Sequence, residues 1–200
     1  MPQNNPHTIG VTGITGSGTS TVAKILALHG GYIIEADKLA HDLMKKGRPA
    51  YQEIVKIFGN DILDDENEIN RRILGEKVFD NKAQMTKLEN IIHPQVITKT
   101  KQLIAEAPPD VHFVVIDAPL LIESGLHKIC HSTWLITAPD ALRLSRITSR
   151  DGLTHRDATR RINSRPGDLA LRPFAHVIIE NDGDLCALHE KVEDALRKFS

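Results

Sequence analysis

The sequence predicts an α/β domain built on a parallel sheet, and three observations carry that expectation. Short apolar runs alternate along the chain with segments of helical periodicity. The clearest run, His112 to Asp117, is continuously apolar between its ends, as a strand buried on both faces would be. The first run passes straight into a glycine-rich turn, a helix and a second run, which is the βαβ unit of a parallel sheet.

The elements follow in order. Residues 8–12 form a β-type run ending at Gly13. From Ser20 the pattern is helical, with Val22, Ile25, Leu26 and Leu28 mostly on one face, and it stops at Gly30 and Gly31. Residues 32–34 predict the second strand, with Asp37 at its end. Residues 38–107 are mainly helical, punctuated at Gly47-Arg48-Pro49, Gly59-Asn60 and His93-Pro94. That span is too long for a simple crossover, so part of it is expected to form a helical subdomain. Residues 112–117 and 133–137 predict two further strands. Residues 141–165 are helical and rich in arginine, with Gly152 dividing them. Residues 177–179 form the last strand, and residues 185–199 a closing amphipathic helix.

The length of 200 residues suits one α/β domain with insertions. With 25 basic against 26 acidic residues the net charge is −1, so nothing in the bulk charge points to a nucleic-acid or anionic-membrane partner, and neither is expected. Any anion must be bound by a local site. Residues 1–7 are polar and proline-punctuated, unlike a secretory signal or membrane anchor. No apolar run approaches the roughly 20 residues that span a bilayer. Cys130 and Cys186 lack metal-type spacing, so they predict reduced thiols and a cytoplasmic location, and the scatter of the ten histidines predicts no dedicated transition-metal site.

The local anion site is the turn itself. Gly13, Ile14, Thr15, Gly16, Ser17, Gly18, Thr19, Ser20 and Thr21 follow a strand and open a helix, and fit G-x-x-x-x-G-K-[ST] at every position but one. Glycines let backbone N–H groups turn inward around phosphate oxygens. The helix beginning near Thr19 adds unpaired N–H groups and a positive dipole end. The fold class is therefore a P-loop NTPase-type parallel sheet flanked by helices. Ser20 stands where a hydroxyl would ligate Mg²⁺. Thr19 stands where lysine would bridge the β- and γ-phosphates. Losing one positioned donor to transition-state charge costs about 3–4 kcal/mol.

Together the motifs resemble the dephospho-coenzyme A kinase family over nearly the whole chain. Residues 9–23 are similar to its phosphate loop, lysine excepted. Ile34-Glu35-Ala36-Asp37 resembles its strand-end motif, His93-Pro94 its His-Pro element, and Pro119-Leu120-Leu121-Ile122-Glu123 its substrate loop. Residues 146–153 resemble its lid, and residues 175–181 its last strand, ending in Asn181. The resemblance implies ATP, with Mg²⁺, phosphorylating the ribose 3′-hydroxyl of dephospho-coenzyme A, so that the partners are small molecules. It implies a single domain over residues 1–200, with a helical substrate-binding subdomain at about 45–107 and a helical lid at about 141–165.

On that resemblance Asp37 and Arg150 are the expected catalytic residues. Asp37 would orient or accept the hydroxyl proton, the alternative being a helix N-cap. Arg150 would be delivered by a closing lid, one turn from Arg146, which is expected on the nucleotide with Asn181. Asp117 ends a strand where a carboxylate can serve Mg²⁺ or its waters, or simply terminate the strand. His93, Pro119, Leu120 and Glu123 are the expected substrate-side residues. His41, Arg165 and His176 depart from the family pattern, and two cations or potential cations among the departures fall around the nucleotide side. Arg165 or a lid arginine is expected to replace part of the missing lysine charge. Two other functions fit the sequence: a non-catalytic nucleotide- or coenzyme A-binding homologue, and a P-loop kinase acting on a different hydroxyl.

Overall fold

The computed structural model describes residues 6–79, 81–163 and 167–199. The chain opens with β1 (His7–Gly13), α1 (Thr19–Leu28) and β2 (Gly31–Glu35), followed by α2 (Ala36–Leu43), α3 (Pro49–Phe58), α4 (Arg71–Phe79) and α5 (Lys82–Ala105). β3 (Phe113–Asp117), β4 (Ser132–Thr137), α6 (Asp140–Asp151), α7 (His155–Asn163), α8 (Asp168–Leu171), β5 (Val177–Glu180) and α9 (Leu185–Phe199) complete it. The five strands form one sheet in the order β2-β3-β1-β4-β5. β3, β1, β4 and β5 run parallel, with Val11 opposite both Asp117 and Trp134. All five expected strands are present, each within a residue or two of its sequence bounds.

Contacts divide the chain into two compact units, Met1–Ile34 with Ile104–Ser200, and Glu35–Leu103. In the first, the alternation of β1 turns Ile9 and Val11 to one face of the sheet. There they meet Val22, Ala23, Ile25 and Leu26 of α1 and Leu188, Val192 and Ala195 of α9. Trp134 is fully buried in this layer, and its indole N–H is satisfied by Ser132 Oγ at 3.1 Å. Phe199 closes on the indole edge-on, which docks the end of α9. Gly152, at φ +63, caps α6 in the left-handed conformation and separates it from α7, as expected from sequence.

The second unit has its own core of Ala50, Ile54, Phe58, Ile62, Ile69, Leu74, Val78 and Ile91. Its only strand-like pairing among the described residues is the antiparallel bridge between Leu63 and Ile69. One sequence expectation fails here. His93-Pro94 does not punctuate the helix: α5 runs through it for 24 residues. Pro94 removes one N–H and crowds the carbonyl four residues back, which disfavours an interior position. Burial outweighs this, because Ile91 anchors the helix before the proline and Val96 and Ile104 anchor it after. His93 is accordingly inside a helix and not at its end. Asp37 also shifts: β2 ends at Glu35, and Asp37 sits in the first turn of α2, for which Glu35 is the N-cap position.

Candidate active site

The turn between β1 and α1 is shaped by what lies behind it. Gly16 and Gly18 have φ of +84 and +98, which only glycine adopts without strain. A Cβ on Gly18 would lie 2.4 Å from Asn181 Nδ2, and one on Gly16 would lie 3.0 Å from the Arg143 carbonyl. Those neighbours are the supports of the loop. Asn181 Nδ2 donates to the Ser17 carbonyl at 2.8 Å, and Arg143 Nε donates to the Thr15 carbonyl at 2.9 Å. A trans peptide holds its C=O and N–H in opposite directions. The carbonyls of Thr15 and Ser17 are therefore drawn to the supports, and the N–H groups of Gly16 and Gly18 point the other way, free for an anion.

The supports are themselves fixed. Arg143 is buried and its Nη1 is paired with Asp140 Oδ1 at 2.7 Å. Asn181 is buried at the end of β5, where its N–H donates to the Thr137 carbonyl at 2.8 Å. Its Oδ1 accepts from Arg146 Nη2 at 3.2 Å. Helix α1 begins without a side-chain cap and without acidic residues in its first turn, so its positive end is unopposed. Two buried polar atoms here lack hydrogen-bond partners, Ser17 Oγ and Arg146 Nη1. Uncompensated buried donors are costly and are characteristic of sites that receive a ligand. Their chemistry, a hydroxyl and a guanidinium beside inward N–H groups, suits phosphate.

Asp117 closes β3 as a buried carboxylate, next to the β1 segment that feeds the loop. Ser20 is exposed in the first turn of α1, and Thr19 and Thr21 flank it half-buried. A hydroxyl and a carboxylate are hard oxygen donors of the kind Mg²⁺ takes, so the residues present fit that ion. Next to Ile14 lies a cavity of about 430 Å³, lined by Thr137, Ala138, Pro139, Asp140, Arg143, Ile162, Gly167, Asp168, Arg172 and Glu180. Sequence reasoning missed it. The available signal was Pro139, which ends β4 at the same edge of the sheet as the loop.

Other expected residues are placed differently. Arg150 is at the exposed end of α6, forked onto Asp151 at 2.7 and 2.9 Å, and Arg161 Nη1 reaches the same carboxylate at 2.8 Å. This hydrogen bond, with the added pull of the charge, raises the Arg150 pKa and lowers that of Asp151. In the loop after β3, Leu121 is fully buried in the core, Pro119 and Leu120 are half-buried, and Glu123 is exposed. His176 is not on the nucleotide side. Its Nδ1 accepts from Thr133 N at 3.0 Å, near the opposite end of β4 from the loop. Arg165 lies outside the described residues. In the helical unit, Asp37 is exposed, and His41 receives Arg71 Nη1 at 2.8 Å.

The dephospho-CoA kinase family model matches residues 7–187. The chain is 40% identical to the dephospho-CoA kinase of Fusobacterium nucleatum, over 92% of this chain and 94% of that one. It is 33% identical to the dephospho-CoA kinase of Carboxydothermus hydrogenoformans, over 96% and 93%. Among solved structures it is similar to a Thermus thermophilus protein, with a TM-score of 0.83 at 27% identity over 98% and 100% of the two chains. It is also similar to the dephospho-CoA kinase from Campylobacter jejuni, with a TM-score of 0.62 at 26% identity over 98% of each.

Proposed function

The chain belongs to the dephospho-CoA kinase family, and from that premise we propose that it transfers the γ-phosphoryl group of ATP to the ribose 3′-hydroxyl of dephospho-coenzyme A. The observation that carries this reading is the braced loop, whose Thr15 and Ser17 carbonyls are held from behind while Ser17 Oγ and Arg146 Nη1 are left unpartnered. Such an arrangement receives the β- and γ-phosphates without reorganising. The cavity beside Ile14 takes the nucleoside part.

The missing lysine is answered by Arg146. Its guanidinium is tied through Asn181 to the loop and has one buried N–H face to spare. Ser20 and Asp117 would hold Mg²⁺, which when bound neutralises charge between the β- and γ-phosphate oxygens. Asp37 orients the 3′-hydroxyl and accepts its proton. His93, Pro119, Leu120 and Glu123 are the substrate-side residues, and the unit Glu35–Leu103 is the substrate-binding subdomain. α6 and α7 form the lid, and Arg150 acts once released from Asp151. The unbridged cysteines, Cys130 and Cys186, accord with a cytoplasmic setting; no helix among the described residues is long and apolar enough to cross a membrane.

The test is product formation. Incubation with Mg-ATP and dephospho-coenzyme A is expected to yield coenzyme A, and Asp37→Asn is expected to lower kcat by about 10²–10⁴. Tight nucleotide binding with no product at high protein concentration would instead establish a binding homologue.

A further inference from the structure

The one histidine pair at i, i+4 in the sequence, His127 and His131, has the Nδ1 atom of each ring engaged elsewhere. His131 Nδ1 accepts from Thr8 N at 3.0 Å, while His127 Nδ1 lies 3.4 Å from the Leu121 carbonyl oxygen. A different group converges. His29 caps the C-terminal end of α1, and His189 and Glu193 lie four residues apart on α9. α9 turns Leu188, Val192 and Ala195 into the core it shares with α1. Positions 189 and 193, one residue on from two of these, fall on the shoulder of that seam. One donor atom from each of His29, His189 and Glu193 lies within 4.8 Å of the others, and all three residues are half-buried.

We propose that His29, His189 and Glu193 form a binding site for a divalent transition metal of the zinc type, separate from phosphoryl transfer. Two imidazoles and a carboxylate are a zinc donor set, and three protein ligands leave a fourth position for water. Zinc bonds of about 2.0–2.2 Å place tetrahedral donors roughly 3.3–3.5 Å apart. His29 Nε2 and Glu193 Oε1 already stand at 3.5 Å, so a small side-chain adjustment at His189 completes the set. The carbonyl end of α1 adds partial negative charge beside His29, which favours a cation. A simple His29–Glu193 ion pair accounts for that contact but gives His189 no part in it. The metal would staple the helix that follows the phosphate loop to the last helix of the chain.

The test uses the full-length protein stripped of metal and free of nucleotide, titrated with Zn²⁺ in the presence of excess Mg²⁺ to occupy hard-cation sites. Calorimetry is expected to show one equivalent bound, with His189→Ala and Glu193→Gln each weakening the affinity at least about tenfold. His155→Ala, on α7, is expected to bind as the parent does. At a hundredfold excess over Kd, zinc should raise the parent's unfolding midpoint by about 5–10 °C, and the His189→Ala midpoint by clearly less. No zinc uptake by the parent, or undiminished affinity in either ligand variant, overturns the site. Glu193→Gln preserves shape and decides the matter should His189→Ala misfold.

Discussion

The two ends of α6 carry the same residue type in opposite circumstances. At its first turns Arg143 is buried on the Thr15 carbonyl and Asp140, and Arg146 is joined to Asn181. One turn beyond Arg146, Arg150 lies exposed, held by a carboxylate that also serves Arg161. The inner arginines are fixed parts of the phosphate loop, formed when the chain folds. The outer one is bound by pairs that solvent weakens and that a modest gain elsewhere can replace. A single helix thus combines a rigid receptor with a releasable cation.

The sharpest test of this contrast is Arg146→Ala, expected to lower kcat by about 10²–10³ if this guanidinium supplies the charge that Thr19 lacks. The loss should shrink in a Thr19→Lys background, and strict additivity in that cycle would separate the two positions. Gly18→Ala comes next. The new Cβ must displace Asn181, and the φ of +98 is itself strained, so ATP affinity measured by calorimetry should fall on the order of 10²-fold. Parent-like affinity would mean that Asn181 does not set the loop.

Thr19→Lys alone should raise kcat by roughly tenfold or less, since Arg146 already covers part of the role; a gain near 10²-fold would show an uncompensated loop. The smallest effect belongs to the outer end. Asp151→Asn frees Arg150 and should change kcat upward by about two- to threefold. The sign of the pH dependence follows from the lowered Asp151 pKa. Its link to Arg150 is complete above the ordinary carboxylate range and is lost only as pH falls through the lowered value, so the pair holds throughout the neutral range and the substitution, not pH, is what releases it. An Asp151→Asn rate equal to the parent's at neutral pH would remove this link from turnover.

The strands and the loop were legible because their signals are local: apolar runs, turn glycines and a helix start lie within a few residues of one another. The brace behind the loop was not, because Asn181 and Ser17 are 164 residues apart in sequence and meet only through β5. Arg143 looked like one solvated arginine among several, and nothing in its neighbours marks it as buried. Pro94 misled for the complementary reason: a strong local breaker was overruled by the packing of Ile91 and Val96, which periodicity weighs poorly. His176 was assigned by its place in a motif, while its ring answers the backbone of Thr133 at the far end of the sheet.

The two cysteines differ as the arginines do, with a practical consequence. Burial pushes the Cys130 thiol up to about 12, and its Sγ donates to the Leu126 carbonyl, so at neutral pH almost none of it is the reactive thiolate. Cys186 is exposed at the start of α9. A thiol-directed dye should therefore label the native protein at one place, three residues before His189, and report on the seam between the first and last helices without any engineered handle.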